Sequence, residues 1–384
     1  MFALTIVLYG LKRFDSPAVA GWLSFAGLAP GLIVSPIAGA LLDRIGPARA
    51  IAVDMAASAF LIIAFVVADQ LHVANAQLLF LIIILFSMTS PFSTAGVRTL
   101  LPRMVPMSDL DTANALDTAI YAVVGVLGPA LAGAMVGFAG SKLALTLIGL
   151  IYVTAACSLG GIRSSQATNA PHPPLLRQAL EGIVTVVRRP TLRGLAISYA
   201  LYQASWGILV IAVPVDIMRH FTAATADVIT GLLWASVGMI GGASALIAGR
   251  VRTAGRERAV MALGMVATAL AAWLIASTFG IVGLVLGLLL VGMAAGPIDV
   301  GLLTLRQRRT DPTQLGRVLS VSISLNIAGF PIGSALAGIL IPWSLTATVA
   351  LAGLASALAG AAVIALIPTK EGADCSTSRS AQKS

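Results

Sequence analysis

Apolar blocks of about 20 residues recur along almost the whole chain, and each can cross a hydrocarbon core of about 30 Å as a helix. Of the 384 residues, 58% are hydrophobic and 10% are charged, whereas soluble domains average about a quarter charged residues. The blocks do not alternate between apolar and polar positions, which argues against a membrane barrel. The sequence therefore predicts an all-α polytopic membrane protein, and it excludes a soluble enzyme, a nucleic-acid-binding domain and a disordered chain.

Eleven complete membrane crossings are predicted from these blocks. They cover residues 18–42, 50–68, 77–97, 113–138, 143–162, 192–217, 226–249, 258–277, 281–305, 316–341 and 345–367. A shorter apolar run at residues 1–11 precedes them and stops at Lys12 and Arg13. The predicted organisation is an N-terminal half at 1–162, a central loop at 163–191, a C-terminal half at 192–367 and a tail at 368–384.

Basic residues indicate how the chain is oriented in the membrane. Of the 24 Lys and Arg residues, 20 fall on the side of the loop at 43–49 and 4 on the other side. Because Lys and Arg concentrate in cytoplasmic loops, this asymmetry places the central loop and the C-terminal tail in the cytoplasm, with the protein in a bacterial inner membrane. The net charge of +9 then reflects topology rather than nucleic-acid binding.

The two halves contain an internal repeat. Residues 128–133 read GPALAG and residues 333–338 read GSALAG, an offset of 205, while Gly21 and Gly231 pair at an offset of 210. Paired segments cross in the same direction, so the repeat is parallel. When the repeat is extended to the N-terminus, the span at 192–217 corresponds to a first helix that lacks about its first 18 residues here. Either the sequence is truncated or the protein is a natural variant.

The turn between the first two complete spans carries the most specific motif. Residues 39–49 read GALLDRIGPAR. The predicted architecture adds two parallel halves of six helices that are joined by a basic loop. This combination resembles the major facilitator superfamily, whose loop motif is G-x-L-x-D-R-x-G-R-[KR]; Pro47 departs from it. Further matches, among them Ser16-Pro17, Gly128-Pro129 and Gly316-Arg317, resemble the bacterial efflux branch of enterobactin exporters and macrolide or multidrug pumps. The resemblance implies two pseudo-symmetric six-helix bundles, the first helix being truncated here.

Two motifs acquire expected roles from this resemblance. The first implies a gate that latches the cytoplasmic side, formed by Gly39, Asp43, Arg44, Gly46 and Arg49; the alternative is a loop of ordinary solvated charges. The second resembles the fifth-helix motif of proton-coupled antiporters and comprises Gly128, Pro129 and Gly133, although Val124 and Ala132 depart from it. Proline kinks a helix and small residues allow close packing, so generic helix packing is the alternative here.

Asp299 is the acid placed deepest in a predicted span, six residues from the cytoplasmic end of 281–305. An unpaired charge at the centre of a membrane helix costs about 2.5–3.5 kcal/mol on insertion scales, so we expect Asp299 to have a functional or structural role. Either it carries the coupling proton, because desolvation favours a protonated carboxyl, or it pairs with Arg306 or Arg308.

Asp54 and Asp117 lie about one turn inside their spans. They are further candidates for proton coupling, but ion pairs with Arg49, Arg98 or Arg103 are the favoured interpretation of both acids.

Polar and aromatic residues at helical spacing are candidates for the lining of a substrate cavity. Residues that are three, four and seven positions apart share one face of a helix. One such set lies mid-span, where an interfacial aromatic belt does not occur, and two shorter polar stripes accompany it; helix–helix hydrogen bonding is the alternative. The candidates are Tyr199, Tyr202, Gln203, Trp206, Asn114, Thr118, Tyr121 and Asn326.

These features together predict a secondary transporter rather than an enzyme. The sequence carries no metalloprotease, nucleophile-elbow or phosphate-binding-loop motif, and its three histidines lie far apart, so no cofactor or metal is expected. The favoured function is proton-driven export of drugs, siderophores or other amphipathic molecules by alternating access. The alternatives are uptake of a small polar solute and a truncated, inactive membrane protein. Expected partners are a small-molecule substrate, protons and the lipid bilayer, and no nucleic acid; the superfamily usually works as a monomer.

Overall fold

The computed structural model describes residues 1–71, 73, 75–104, 110–160, 184, 186–250, 256–276, 279–309 and 322–369. Twelve long helical elements occur within these ranges. They are α1 (Phe2–Phe14), α2 (Pro17–Ala26), α3 (Ala29–Ile45), α4 (Pro47–Gln70), α5 (Ala76–Met104), α6 (Leu110–Gly160), α7 (Pro190–His220), α8 (Ala223–Arg250), α9 (Glu257–Ile275), α10 (Gly280–Arg308), α11 (Gly329–Leu340) and α12 (Leu345–Leu366).

The helices agree closely with the predicted spans. Ten helical stretches of the described residues are long and apolar enough to cross a membrane. Two predicted spans, 113–138 and 143–162, form the single element α6, which changes direction at Gly140, where φ is 81° and ψ is 161°. The span predicted at 316–341 is described from Ser322 to Leu340. Each of the eleven predicted crossings therefore overlaps a helix.

Successive crossings alternate in direction, so the helix ends fall on two sides. We call the side with the turn at Gly46 and the end of α12 at Leu366 the tail side. The far side carries the opposite turns, including the bend at Gly140 and the connection from α7 to α8. The positive-inside rule predicts that the tail side is cytoplasmic.

The helices pack into two bundles, each with its own apolar core. Buried side chains from α1, α2, α4, α5 and α6, such as Tyr9, Ile62 and Leu79, contact one another in the first bundle. In the second bundle, α7, α9, α10 and α12 share a core that includes Met265 and Ile298. Large apolar side chains also cover much of the exterior, as expected for a surface that faces lipid.

Glycines join the two bundles near the far side. A Cβ on Gly133 of α6 would lie 2.6 Å from the Cα of Gly231 in α8, and a Cβ on Gly21 of α2 would lie 2.8 Å from the Cα of Gly338 in α11. Backbones approach this closely only where a side chain is missing. In the internal repeat Gly21 corresponds to Gly231 and Gly133 to Gly338, so the two contacts are equivalent under the pseudo-symmetry.

Gly46 is fixed by its backbone conformation. It precedes α4 with φ 85° and ψ 145°, a region that is essentially restricted to glycine. We expect Gly46→Ala to lower the free energy of unfolding by about 1–3 kcal/mol, because Cβ strains this conformation. Gly249→Ala is the matched control, since Gly249 is helical and nothing lies within 4 Å of an added Cβ. Thermal unfolding in detergent compares the two variants; equal melting temperatures would contradict the expectation.

Candidate functional site

A cavity of about 1090 Å³ lies between the two bundles, on the tail side of the glycine contacts. Its described lining comes from both halves and is predominantly apolar, with a few polar groups, which is typical of a site for an amphipathic molecule. Residues 123, 125–127 and 129 of α6 face a stretch of α8 from Trp234 to Leu246. The remaining lining comprises residues 1, 3, 4, 7, 24, 199, 202, 203, 206, 210, 295, 296, 299 and 330.

Four aromatic rings form a continuous wall in this cavity. The ring centroids of Tyr199 and Tyr202 are 5.5 Å apart, those of Tyr202 and Trp206 6.3 Å, and those of Trp206 and Trp234 5.8 Å. The first three residues lie on one face of α7, whereas Trp234 approaches from α8. All four line the cavity, as does Gln203 of the same α7 face. We call these four rings the aromatic ladder.

Asp299 places a carboxyl group beside the aromatic ladder. The Tyr199 hydroxyl donates a hydrogen bond of 2.5 Å to Asp299 Oδ1, joining α7 to α10. Asp299 is exposed, and its accessible surface faces the cavity that it lines. Among the described lining residues it is the one acidic side chain, and none is Lys, Arg or His. Tyr199 is the hydrogen-bond partner observed for this acid; the side chain of Arg308, one of its two predicted ion-pair partners, lies outside the described part of the structure.

Asp54 occupies a different environment from Asp299. It is 2% exposed and accepts hydrogen bonds from the hydroxyls of Ser58, at 3.3 Å, and Ser93. Arg49, a predicted ion-pair partner, is exposed, and neither of these bonds involves it. Asp54 is therefore bonded by serine hydroxyls within the first bundle and is not among the described lining of the cavity.

The antiporter-like motif lies at the contact between the two bundles. A Cβ on Gly231 would lie 2.6 Å from the carbonyl oxygen of Pro129 and 2.8 Å from the Cα of Gly133. Pro129 lies inside α6 and also borders the cavity. A Cβ on Gly128 would approach the amino nitrogen of Met1 to 3.2 Å. The motif thus brings α6 against α8 and forms part of the cavity wall.

Several other candidates are placed only by their backbone or lie away from the cavity. Gly39, Asp43 and Arg44 belong to α3, but their side-chain environment is outside the described part of the structure, as are the side chains of Asn114, Asp117, Thr118 and Tyr121. Asn326 is 2% exposed. With its amide nitrogen donating to the Ser322 carbonyl at 3.0 Å, its oxygen accepts from Arg306. It is therefore buried among helices rather than exposed to the cavity.

Sequence reasoning missed two groups that the structure brings to the site or its boundary. Trp234 completes the aromatic ladder from the opposite side, and its indole Nε1 has no hydrogen-bond partner among the described residues. Lys12 of α1 forms an ion pair with Asp227 of α8 across the bundles. Both groups depend on contacts between residues far apart in sequence. The part of the chain that the structure describes contains no cluster of metal-ligating side chains.

Comparison with protein families and known sequences identifies relatives over nearly the whole chain. The family model described as Major Facilitator Superfamily matches residues 1–197 and 195–380. The uncharacterized MFS-type transporter y4rN of Sinorhizobium fredii is 51% identical over 368 residues, covering 96% of this chain and 91% of that protein. The multidrug efflux pump Tap of Mycolicibacterium fortuitum is 28% identical over 360 residues, covering 87% and 84%.

Solved structures show the same fold. The nucleoside transporter NupG matches with a TM-score of 0.75 and 14% identity, and the match covers 96% of each chain. A point mutant of the same transporter matches with a TM-score of 0.73 and 15% identity, covering 95% of this chain and 98% of that one. At these identities the likeness concerns the arrangement of the helices and carries no information about substrate.

Proposed function

Since this chain belongs to the major facilitator superfamily and is a multi-pass membrane transporter with efflux pumps among its relatives, we propose that it exports amphipathic, positively charged small molecules in exchange for protons. The observation that carries the proposal is the cavity between the bundles, where Asp299 borders the aromatic ladder. Aromatic faces attract cations by about 0.5–2 kcal/mol each, and a carboxylate adds a counter-charge. An apolar wall then binds the rest of the molecule.

Proton coupling at Asp299 follows from competition for one carboxylate. In the proposed cycle, a cationic substrate binds the ionised form from the tail side and a proton binds the same group from the far side. Because the substrate and the proton cannot occupy the carboxylate together, binding of one weakens binding of the other. This competition is sufficient to couple substrate export to proton entry. Asp54 and Asp117 are alternative coupling sites. The serine hydroxyls around Asp54 and its separation from the described cavity lining favour Asp299.

The two sequence motifs supply the conformational part of the proposal. Gly39, Asp43, Arg44, Gly46 and Arg49 would close the tail side when the far side opens. Gly128, Pro129 and Gly133 would close the far side, a role supported by the close backbone contact of α6 with α8. We further propose that the tail side is cytoplasmic, that the membrane is a bacterial inner membrane and that the protein works as a monomer.

Export rather than uptake is supported by relatives named as multidrug efflux pumps, which are 26–28% identical to this chain. A cavity for a small polar solute such as a sugar requires several hydrogen-bonding side chains, whereas this lining is mainly apolar and aromatic. Uptake of a polar solute is therefore the less favoured function, and transport direction is the property that separates the two.

The test measures ethidium and tetraphenylphosphonium accumulation in an efflux-deficient bacterium that expresses the chain. We expect lower accumulation than with an empty vector, loss of the difference with a protonophore, and loss of the difference with Asp43→Asn. Higher accumulation would indicate uptake. Unchanged accumulation of every cation tested, from protein that demonstrably reaches the membrane, would contradict the proposed function.

Removal of one ring from the aromatic ladder tests how the cavity recognises cations. We expect Trp206→Ala to raise the apparent KM for tetraphenylphosphonium about two- to thirtyfold, the equivalent of one lost cation–π contact. Trp343→Ala is the control, because that side chain is 87% exposed on a far-side turn and does not line the cavity. Similar KM changes in both variants, measured as initial rates in everted vesicles, would count against recognition by the ladder.

A further inference from the structure

We propose that Lys12 and Asp227 form a latch that holds the two bundles together on the far side and opens once in each transport cycle. This inference rests on the proposed function, in which the transporter alternates between a tail-side-open and a far-side-open state. Neither Lys12 nor Asp227 belongs to the sequence motifs described above. Lys12 lies in the last turn of α1, and Asp227 lies near the start of α8. The pair therefore joins the first bundle to the second on the far side.

The pair is enclosed by the interface that it bridges. Lys12 Nζ donates a hydrogen bond to Asp227 Oδ2; the aspartate side chain is 0% exposed and the lysine side chain 29% exposed. The adjacent residues Leu11 and Ala226 belong to an apolar cluster that contains side chains from both bundles. Gly133 lies against the backbone carbonyl of Asp227, so the close contact of α6 with α8 helps to bury this carboxylate.

A second ion pair shows why the first can act as a latch. Lys142 and Asp69 also lie on the far side, with Nζ and Oδ2 3.3 Å apart, and Tyr9 donates to the same carboxylate at 3.0 Å. All three residues belong to the first bundle, so a rigid movement of one bundle against the other leaves their contacts unchanged. The same movement must separate Lys12 from Asp227, because each is fixed to a different bundle.

The difference in burial predicts unequal effects of removing each partner. Without Lys12, the Asp227 carboxylate would stay buried without a counter-charge while the far side is closed, but would gain water when it opens. Without the Asp227 charge, the partly exposed Lys12 ammonium can still reach water along its flexible stem. We therefore expect Lys12→Met to favour the far-side-open state more strongly than Asp227→Asn.

The first test measures the distance between the bundles with no substrate present. Cys157→Ser and Cys375→Ser remove both native cysteines, and spin labels at Val73→Cys and Trp343→Cys then report the far side by electron–electron double resonance. We expect Lys12→Met to raise the far-side-open fraction about tenfold and Asp227→Asn to raise it less. Lys12→Arg, which keeps the positive charge, should give the same distance distribution as the chain with native Lys12. Lys142→Met should leave it unchanged. Equal distributions for Lys12→Met and Lys142→Met would overturn the latch.

The second test asks whether the pair must separate during transport. In the same cysteine-free background, Lys12→Cys with Asp227→Cys is joined by a reducible bis-methanethiosulfonate carrying a two-carbon spacer. We expect this cross-link to stop transport and its reduction to restore it, whereas the cross-link between Lys142→Cys and Asp69→Cys should leave transport unaffected. Full transport with the bundles cross-linked would overturn the proposal.

The two tests also separate the latch from the proposed function. The spin-label distances require neither a substrate nor a proton gradient, so they test the latch even if no cation is exported. If the distances change as expected while ethidium and tetraphenylphosphonium accumulation does not, the latch stands and cation export fails. If export is confirmed and Lys12→Met leaves the spin-label distances unchanged, cation export stands and the latch fails.

Discussion

Asp299→Asn is expected to reduce proton-driven export of cations to background. Asparagine has nearly the same shape and still accepts a hydrogen bond from Tyr199, but it neither ionises nor carries a proton. The direct measurement is proton release when tetraphenylphosphonium is added to purified protein in weak buffer. The wild-type chain should release up to about one proton for each cation bound, because both compete for one carboxylate. The variant should release none.

Asp54→Asn and Asp117→Asn are the matched comparisons for this measurement. Because Asp54 accepts hydrogen bonds from Ser58 and Ser93 within the first bundle, we expect its replacement to reduce stability while proton release continues. Proton release that persists in Asp299→Asn and vanishes in one of the other variants would move the coupling site to that other residue. Tyr199→Phe should retain proton release, since Asp299 keeps its carboxyl group.

Gly231→Leu is expected to prevent closure of the far side. A Cβ at this position would lie 2.6 Å from the Pro129 carbonyl oxygen and 2.8 Å from the Gly133 Cα, and backbone atoms cannot yield as a flexible side chain can. Overpacking typically costs about 1–3 kcal/mol. A penalty near the upper value shifts a two-state equilibrium by roughly a hundredfold. We therefore expect a transporter held open toward the far side and inactive in export.

Labelling of a far-side cysteine with a membrane-impermeant maleimide measures this shift. A single cysteine at Ala226 in the cysteine-free background reports opening, because this side chain is 0% exposed and lies in an apolar cluster that contains side chains from both bundles. Gly249→Leu is the control on the same helix, where nothing lies within 4 Å of an added Cβ. Faster labelling should occur with Gly231→Leu alone. If labelling is equally slow in both, the glycine contact does not govern closure.

Much of the fold was predictable because the bilayer imposes constraints along the chain. Each crossing needs about 20 apolar residues whose backbone bonds within its own helix, so the crossings can be located without knowledge of neighbours. The bend at Gly140 marks the boundary between two predicted crossings, and Gly46, with its positive φ, lies at the turn between the first two. Helix periodicity likewise placed Tyr199, Tyr202, Gln203 and Trp206 on one face, and all four line the cavity.

The rest of the site depends on pairings that local patterns do not contain. Trp234 could not be predicted as a cavity residue from the sequence, because its partner ring, Trp206, belongs to another helix. Asn326 has the same polar character as Gln203, yet it is buried against Arg306 while Gln203 reaches the cavity. Helical spacing defines a shared face but not which neighbour covers that face, so it could not distinguish the two residues.

The sequence by itself determined the membrane-spanning segments, the parallel repeat and the family, because composition, periodicity and motifs are properties of the chain read in order. Only the tertiary structure decided that Gly21 meets Gly338 and Gly133 meets Gly231, that Tyr199 bonds Asp299, and that Lys12, counted in the sequence as a marker of topology, pairs with Asp227. The physical reason is that these are contacts between helices separated by 98 to 317 positions in the chain. Their existence depends on how whole helices pack, which no local stretch of sequence specifies.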